Sequence, residues 1–284
     1  MLDLRYHVAS LSAVFLALIV GILVGVGISG RGFVDKSERR NFQSQIAGLQ
    51  TRVDQLSAEK SLIAEQGAAS QSFEEDTYPV LMHNRLAARH VAEIVLGSTG
   101  GAGTDVKQAL TDAGAVTTLY RVIKFPVAAA DIVRSLKSSP GFRRLDAVGQ
   151  ELAQEWVTPG KTPISDKVSP LLVEEQRGEA GKAVDAIVVL QGDRPAGALQ
   201  KLFLDGLYAG LVSAGIPVAG AEQSDARPSL VPLWRSVSGM SSVDDVDTPS
   251  GKLALALLLA GAPAGHFGVR PDADGALPRI RPGG

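Results

Sequence analysis

VDAIVVL, residues Val184–Leu190, is apolar throughout apart from Asp185, rich in β-branched side chains and too short for a helix. Such a run suits a strand buried on both faces of a parallel sheet. A helical pattern follows from about Gly197 to Ser213, and then IPVAGAE, Ile216–Glu222, a second short strand-like run. Strand, helix and strand at that spacing make a parallel βαβ unit. The same alternation extends upstream. VAEIVLG, Val91–Gly97, and AVTTLYRVI, Ala115–Ile123, read as strands around a helix at Thr104–Ala113, and helical periodicity covers about Ala128–Leu136 and Arg143–Trp156. Lys161–Gly181, with Pro163 and Pro170, reads as irregular. The expectation is a layered α/β domain with a mainly parallel sheet over residues 69–270. Residues 271–284, rich in Pro and Gly, are expected to be a disordered tail.

The segments before this domain are of another kind. Val8–Ile28 has no charged residue, and as a helix it is roughly 31 Å long, the thickness of a bilayer's hydrocarbon core. The apolar run exceeds the h-region of a secretory signal, its basic flank is only Arg5 and the amino terminus, and no A-x-A site follows. An uncleaved transmembrane anchor over residues 1–30 is therefore expected, with a cut near Gly27-Ile28-Ser29 as the competing reading. Ala9, Ala13, Ala17, Gly21, Gly25 and Ser29 recur every fourth residue, and Gly21–Gly25 has the GxxxG form that lets two helix backbones touch. Basic residues mark the cytoplasmic side of a span. Arg5 precedes this one, while Arg31, Lys36, Arg39 and Arg40 follow, so charge alone would keep the body in the cytoplasm.

Residues 31–68 carry a heptad pattern. Phe42, Leu49, Leu56 and Ile63 take d, and Ile46, Val53 and Lys60 take a, the choice that favours a parallel pair. A coiled coil is expected, making the chain a parallel homo-oligomer through Ala13, Ala17, Gly21 and Gly25 in the membrane and Ile46, Leu49, Val53 and Leu56 outside it. Gly67-AASQS reads as a soft break, with a helical pattern resuming at Phe73–Leu86.

Composition excludes several functions. The 28 basic and 30 acidic residues leave a net charge of −2, and aromatics make up only 5%, which disfavours nucleic acid as a partner. The absence of cysteine removes thiolate metal sites and cysteine nucleophiles, and three methionines are few for copper(I). No G-x-S-x-G elbow or H-E-x-x-H helix occurs, so no enzymatic activity and no resident cofactor is expected. Gly97-STGGAG-Thr104 follows a strand and opens a helix, a place where amides attract anions, but it lacks the P-loop lysine. Gln191-Gly192-Asp193-Arg194-Pro195 also ends a strand and reads as a polar turn or a ligand loop. VDDVDTPSG, Val243–Gly251, places three aspartates before an apolar run. Thr248 or Asp247 reads as an N-cap with Pro249 in the first turn. Asp244 and Asp245 are candidate cation ligands, joined by His266 in its glycine-flanked turn.

LRYHVASLSAVFLALIVGILVG, the heptads behind it and SSVDDVDTPSGKLALALLLAGAPAGHFG together resemble the actinobacterial copper-transporter family. That resemblance implies a cell-envelope protein of copper homeostasis, with a cytoplasmic amino terminus, a single pass, and a domain outside the cytoplasm. It also leaves the outer membrane open as the location. It implies copper as a transported or sensed ion, and membrane lipid and other envelope proteins as partners. It carries no ligand residues over to this chain. The alternative from the residues themselves is a membrane-tethered coiled-coil scaffold or sensor whose α/β domain binds a partner or small ligand.

Overall fold

The structure is a computed structural model describing residues 4–29, 35–136, 144–192 and 197–279, with side chains from residue 7 to 27 and from 39 onward. The chain divides into two compact units, Met1–Ser70 and Gln71–Gly284.

The first unit is helical. α1 (Leu4–Ser29) is the apolar helix expected, long enough to cross a bilayer over His7–Gly27, with none of that window buried. α2 spans Asp35–Met82. The break expected at Gly67 is absent, because one interior glycine costs only about 1 kcal/mol of helix propensity and long helix-forming flanks outweigh it. The apolar heptad residues form an uncovered stripe, from Ile46 at 54% to Phe42 at 65% exposure.

The second unit is an α/β sandwich. Its strands are β1 (His90–Leu96), β2 (Val116–Ile123), β3 (Val173–Arg177), β4 (Ala186–Gln191), β5 (Val218–Ala221), β6 (Ser241–Val243) and β7 (His266–Phe267), in the order β3-β2-β1-β4-β5-β6-β7. Every pair is parallel except β2–β3. β4, read from VDAIVVL, is buried at all six positions. Alternate side chains feed two cores. Ile94, Leu96, Ile187 and Val189 meet α5 (Leu145–Val157) and α7 (Ala198–Ser213) through Trp156, Phe203 and Leu207. Val91, Val95, Val188 and Leu190 meet α3 (Ala102–Asp112), α9 (Pro249–Leu259) and the end of α2 at Met82.

The stretch read as irregular holds α6 (Pro163–Leu172) and the antiparallel edge strand β3. Pro163 sits at the helix start, where a missing N–H costs nothing, and VEEQR is polar because an edge strand faces water. α4 (Ala129–Leu136) falls where periodicity put it, and α8 (Val231–Arg235) is a single unforeseen turn. The helix expected to begin at Arg143 is described from Leu145, Arg143 lying outside the described residues. The tail expected from residue 271 is, over 271–279, part of the fold. Asp274 N donates to His266 O at 2.7 Å, Gly268 N to Gly275 O at 3.0 Å, and Arg235 Nη2 to Asp272 O at 2.6 Å. Backbone pairing to β7 and this side-chain bond hold a segment whose composition alone suggests disorder.

Candidate functional site

Strand order locates the site. From β1 the chain crosses to β2 on one side, while β4 lies on the other. The carboxyl ends of β1 and β4 therefore flank a topological switch point, the place where open α/β sheets bind ligands. A crevice of about 170 Å³ opens there, lined by Ser98 and Thr99 after β1, Gln191 after β4, and Glu222, Gln223 and Arg227 after β5. Glycine is required at 192, since a Cβ there would sit 1.7 Å from Ser98 O, so the two loops touch backbone to backbone.

The glycine-rich loop reaches this crevice through Ser98, Thr99 and Ala102. α3 starts at Ala102 with Gly101 as N-cap and no capping side chain, so its first amides carry no side-chain acceptor. Three of the polar lining residues are already engaged. Gln191 Oε1 accepts from the Tyr208 hydroxyl, and Gln223 Nε2 donates to Asp105 Oδ2 at 2.8 Å. Glu222 accepts from Ser229 Oγ at 2.6 Å, Leu230 N at 2.7 Å and Arg270 Nε at 3.1 Å. Burial still pushes its carboxyl above the usual range, against those bonds and the nearby Arg270 guanidinium. Of the turn expected to follow β4, Gln191 and Gly192 line the crevice, while Asp193, Arg194 and Pro195 lie outside the described residues.

The three aspartates of VDDVDTPSG do three structural jobs. Asp244 and Asp245 follow β6 directly and bond to different parts of the fold. Asp244 Oδ1 accepts from Val269 N at 2.9 Å and packs against Gly268, where any Cβ would lie 2.2 Å from that oxygen. Asp245 is fully buried. Its Oδ2 accepts from Thr248 Oγ1 at 3.1 Å, and its Oδ1 has no hydrogen-bond partner among the described residues. Burial lifts its carboxyl to about 6. Asp247 accepts from Ser224 N and Ser224 Oγ, both at 2.7 Å. Thr248 is the N-cap of α9, its hydroxyl accepting from Gly251 N at 3.0 Å.

His266 lies on β7, its Nδ1 2.9 Å from Ser242 Oγ, with burial lowering its pKa first and Arg235 second. Asp244, Asp245 and His266 thus bond to separate partners, with Asp245 Oδ1 left over, and among the described residues no group of three His, Asp or Glu side chains could hold a metal. Nor does the Ser242–His266 pair offer a nucleophile, since Ser242 is fully buried within the sheet. Met82 and Met240 are likewise core residues, so neither thioether reaches solvent. Sequence reasoning missed Glu222, Gln223 and Arg227 as lining residues. The available signal was their place just beyond IPVAGAE, at a strand's carboxyl end.

A family model described as "Copper transport outer membrane protein, MctB" matches residues 1–278. The chain is also 25% identical to the copper transporter MctB of Mycobacterium bovis over 309 aligned positions, covering 95% of this chain and 96% of the relative. The MctB proteins of two Mycobacterium tuberculosis strains match with the same identity and coverage.

Proposed function

The chain belongs to the MctB family of copper transport outer membrane proteins, and on that premise we propose that it is a membrane-anchored envelope component of copper homeostasis. On this reading α1 tethers the chain in lipid and the α/β body works outside the cytoplasm as the soluble part of a copper-handling assembly. The observation that carries it is the extent of the match, which takes in the apolar helix and the α/β body together. One helix encloses no pore, and the described strands form an open sheet covered by helices, so a conduit would need further copies or partners. The body is read as non-enzymatic, and as passing copper within an assembly rather than storing it. Support comes from the absent cysteines and from Met82 and Met240, the two methionines among the described residues, which are buried.

The test is a strain lacking the gene, complemented with the full chain or with one starting at residue 31. Copper should accumulate and copper tolerance fall in the deletion strain, and only the full chain should restore both. Unchanged copper content would remove the proposal. A reporter fused after Gly284 reads the side occupied by the body, and activity confined to the cytoplasm would overturn the orientation.

Self-association belongs to the same reading. The apolar a and d residues of α2 lie exposed in the single chain, and a parallel partner would cover them. Because the chain has no cysteine, Leu49→Cys introduces a lone thiol at a d position. It should give a disulfide-linked dimer in membranes under mild oxidation, whereas Thr51→Cys, at an outward f position, should not. Equal yields from the two variants would exclude a parallel coiled coil in this register.

A second reading, favoured by the crevice at the β1/β4 switch point, is a tethered sensor whose body binds a small ligand with copper incidental. A deletion strain with normal copper handling would leave this one standing.

A further inference from the structure

A second cavity lies at the opposite, amino-terminal edge of the sheet, where α2 leads into β1 and α9 ends. It has a volume of about 780 Å³. Three guanidinium groups line it, from Arg85 and Arg89 before β1 and from Arg279 near the carboxyl end, and His83 and Asn84 add polar edges. Leu257 and Pro263 give it an apolar wall, and no carboxylate is among its lining residues. In a chain of net charge −2, three arginines facing one space without an acid call for an explanation.

Ordinary structural roles absorb only part of this charge. Arg85 spends its Nε on Leu81 O at 2.6 Å, which fixes the direction of its fork, and no other side-chain hydrogen bond of Arg85 is present among the described residues. Arg89 Nη2 reaches Ala260 O at 3.4 Å, a long bond to the carboxyl end of α9. Capping α9 thus accounts for Arg89, and the bond to the last turn of α2 occupies only the Nε of Arg85. Asp185 feels Arg89, but it is engaged with His90, accepting from His90 N at 2.8 Å, and it does not line the cavity. The loop carrying the arginines is also held in an unusual backbone. Asn84 has φ 58° and Ala88 φ 60°, both left-handed, and for alanine that conformation is costly. Leu86 N donates to Ala113 O at 2.8 Å and Arg89 N to Leu86 O at 2.9 Å, pinning the strained turn that presents Arg85 and Arg89 on one side.

We propose that this cavity is a binding site for a phosphate group carried on an apolar body, with Arg85, Arg89 and Arg279 holding the phosphate oxygens and Leu257 and Pro263 lying against the apolar part. Guanidinium forks match phosphate oxygens two at a time, and the half-buried Arg85 and Arg89 hold that match better than surface arginines would, with the exposed Arg279 adding charge at the rim. The ligand could be an anionic phospholipid or a soluble phosphate ester, which share this chemistry.

The test uses the full chain in a neutral alkyl-maltoside detergent, titrated by calorimetry with inorganic phosphate, with dihexanoyl phosphatidic acid and with dihexanoyl phosphatidylcholine. Phosphatidic acid should bind, weaken with added salt, and lose about tenfold or more in affinity in the Arg85→Gln/Arg89→Gln chain. Arg134→Gln, on the exposed face of α4 in a surface pair with Asp131, should change nothing. Arg279→Gln, whose side chain makes no hydrogen bond or ion pair among the described residues, should also weaken binding, and it keeps the test decisive if the double variant unfolds. Inorganic phosphate competing at comparable concentration would assign the site to soluble phosphates, and binding of the lipid alone would assign it to a phospholipid headgroup. The proposal falls if neither probe binds, or if phosphatidylcholine binds equally and the arginine variants have no effect.

Discussion

Gly206→Val will destabilise the α/β body by about 3 kcal/mol or more, the upper range for overpacking a core. α5 and α7 approach at backbone contact. A Cβ on Gly206 would fall 1.9 Å from Asp146 O and 2.6 Å from the carbonyl carbon behind it. Gly149 and Gly210 sit in the same seam, where a Cβ would lie 2.3 Å from Phe203 O and from Gln150 O respectively. Since the obstacles are main-chain atoms, no side-chain rotation relieves the clash. The helices must separate, and the packing of Leu152, Trp156, Phe203 and Leu207 opens with them. Both tryptophans, Trp156 and Trp234, are fully buried in this core, so their fluorescence follows unfolding directly. The comparison variant is Gly103→Ala in α3, whose Cβ would meet only Thr99 Oγ1 at 3.5 Å and which should be neutral or slightly stabilising. If the two variants melt together, the close seam is not where the stability lies.

The central strands were legible because burial on both faces forces an unbroken apolar run, as in VDAIVVL. The same logic hid the sheet's edges. β3 is VEEQR with four exposed positions, and β6 and β7 are only Ser241–Val243 and His266–Phe267. Edge and very short strands have no apolar period to detect, and polar composition at an edge is a way of discouraging further strand pairing. α6 was hidden by its two prolines, one of which marks its start. The N-cap of α9 was legible from VDDVDTPSG, since capping is a local matter of residue type and spacing. The two cavities were not. The crevice gathers residues from three strand ends, and the cationic cavity joins residues 83–89, 257–263 and 279. Only the order of strands and the return of the carboxyl-terminal segment bring these residues together, and periodicity reports neither.

The α/β body should be more stable at mildly acidic pH than at neutrality, against the usual expectation that acid unfolds proteins. Two buried carboxyls dominate. Burial on β1 lifts Glu93 to about 7, even with Arg177 and Lys107 drawing it down, and burial lifts Asp245 to about 6, with Asp244, Asp247 and Glu74 adding repulsion and Thr248 opposing. Glu222 and Asp244 are raised as well, again first by burial. A carboxyl whose folded pKa exceeds its unfolded value holds its proton better when folded. The folded state therefore binds more protons between the two values, and stability falls as pH rises through that window. For Glu93 and Asp245 the window runs from the ordinary carboxylate range up to about 7 and about 6. His266 opposes this, since its lowered pKa makes protonation unfavourable in the folded state, and Asp185, held ionised chiefly by His90 N, opposes it at lower pH still. Each tenfold difference in proton affinity between the folded and unfolded chain is worth roughly 1.4 kcal/mol. Moving from pH 8 to 5.5 should therefore add roughly 2 to 3 kcal/mol, or about 5–10 °C in Tm for a body of this size. Thermal melts of the full chain in detergent, followed by tryptophan fluorescence, read this directly. Glu93→Gln should flatten the upper part of the slope and Asp245→Asn the lower. Asp245→Asn separates the charge from the shape of the site, because the asparagine keeps an oxygen for the Thr248 hydroxyl and removes only the ionisation. A wild-type Tm that falls steadily from pH 8 to 5.5 would show that these buried acids are paired more strongly than their surroundings allow.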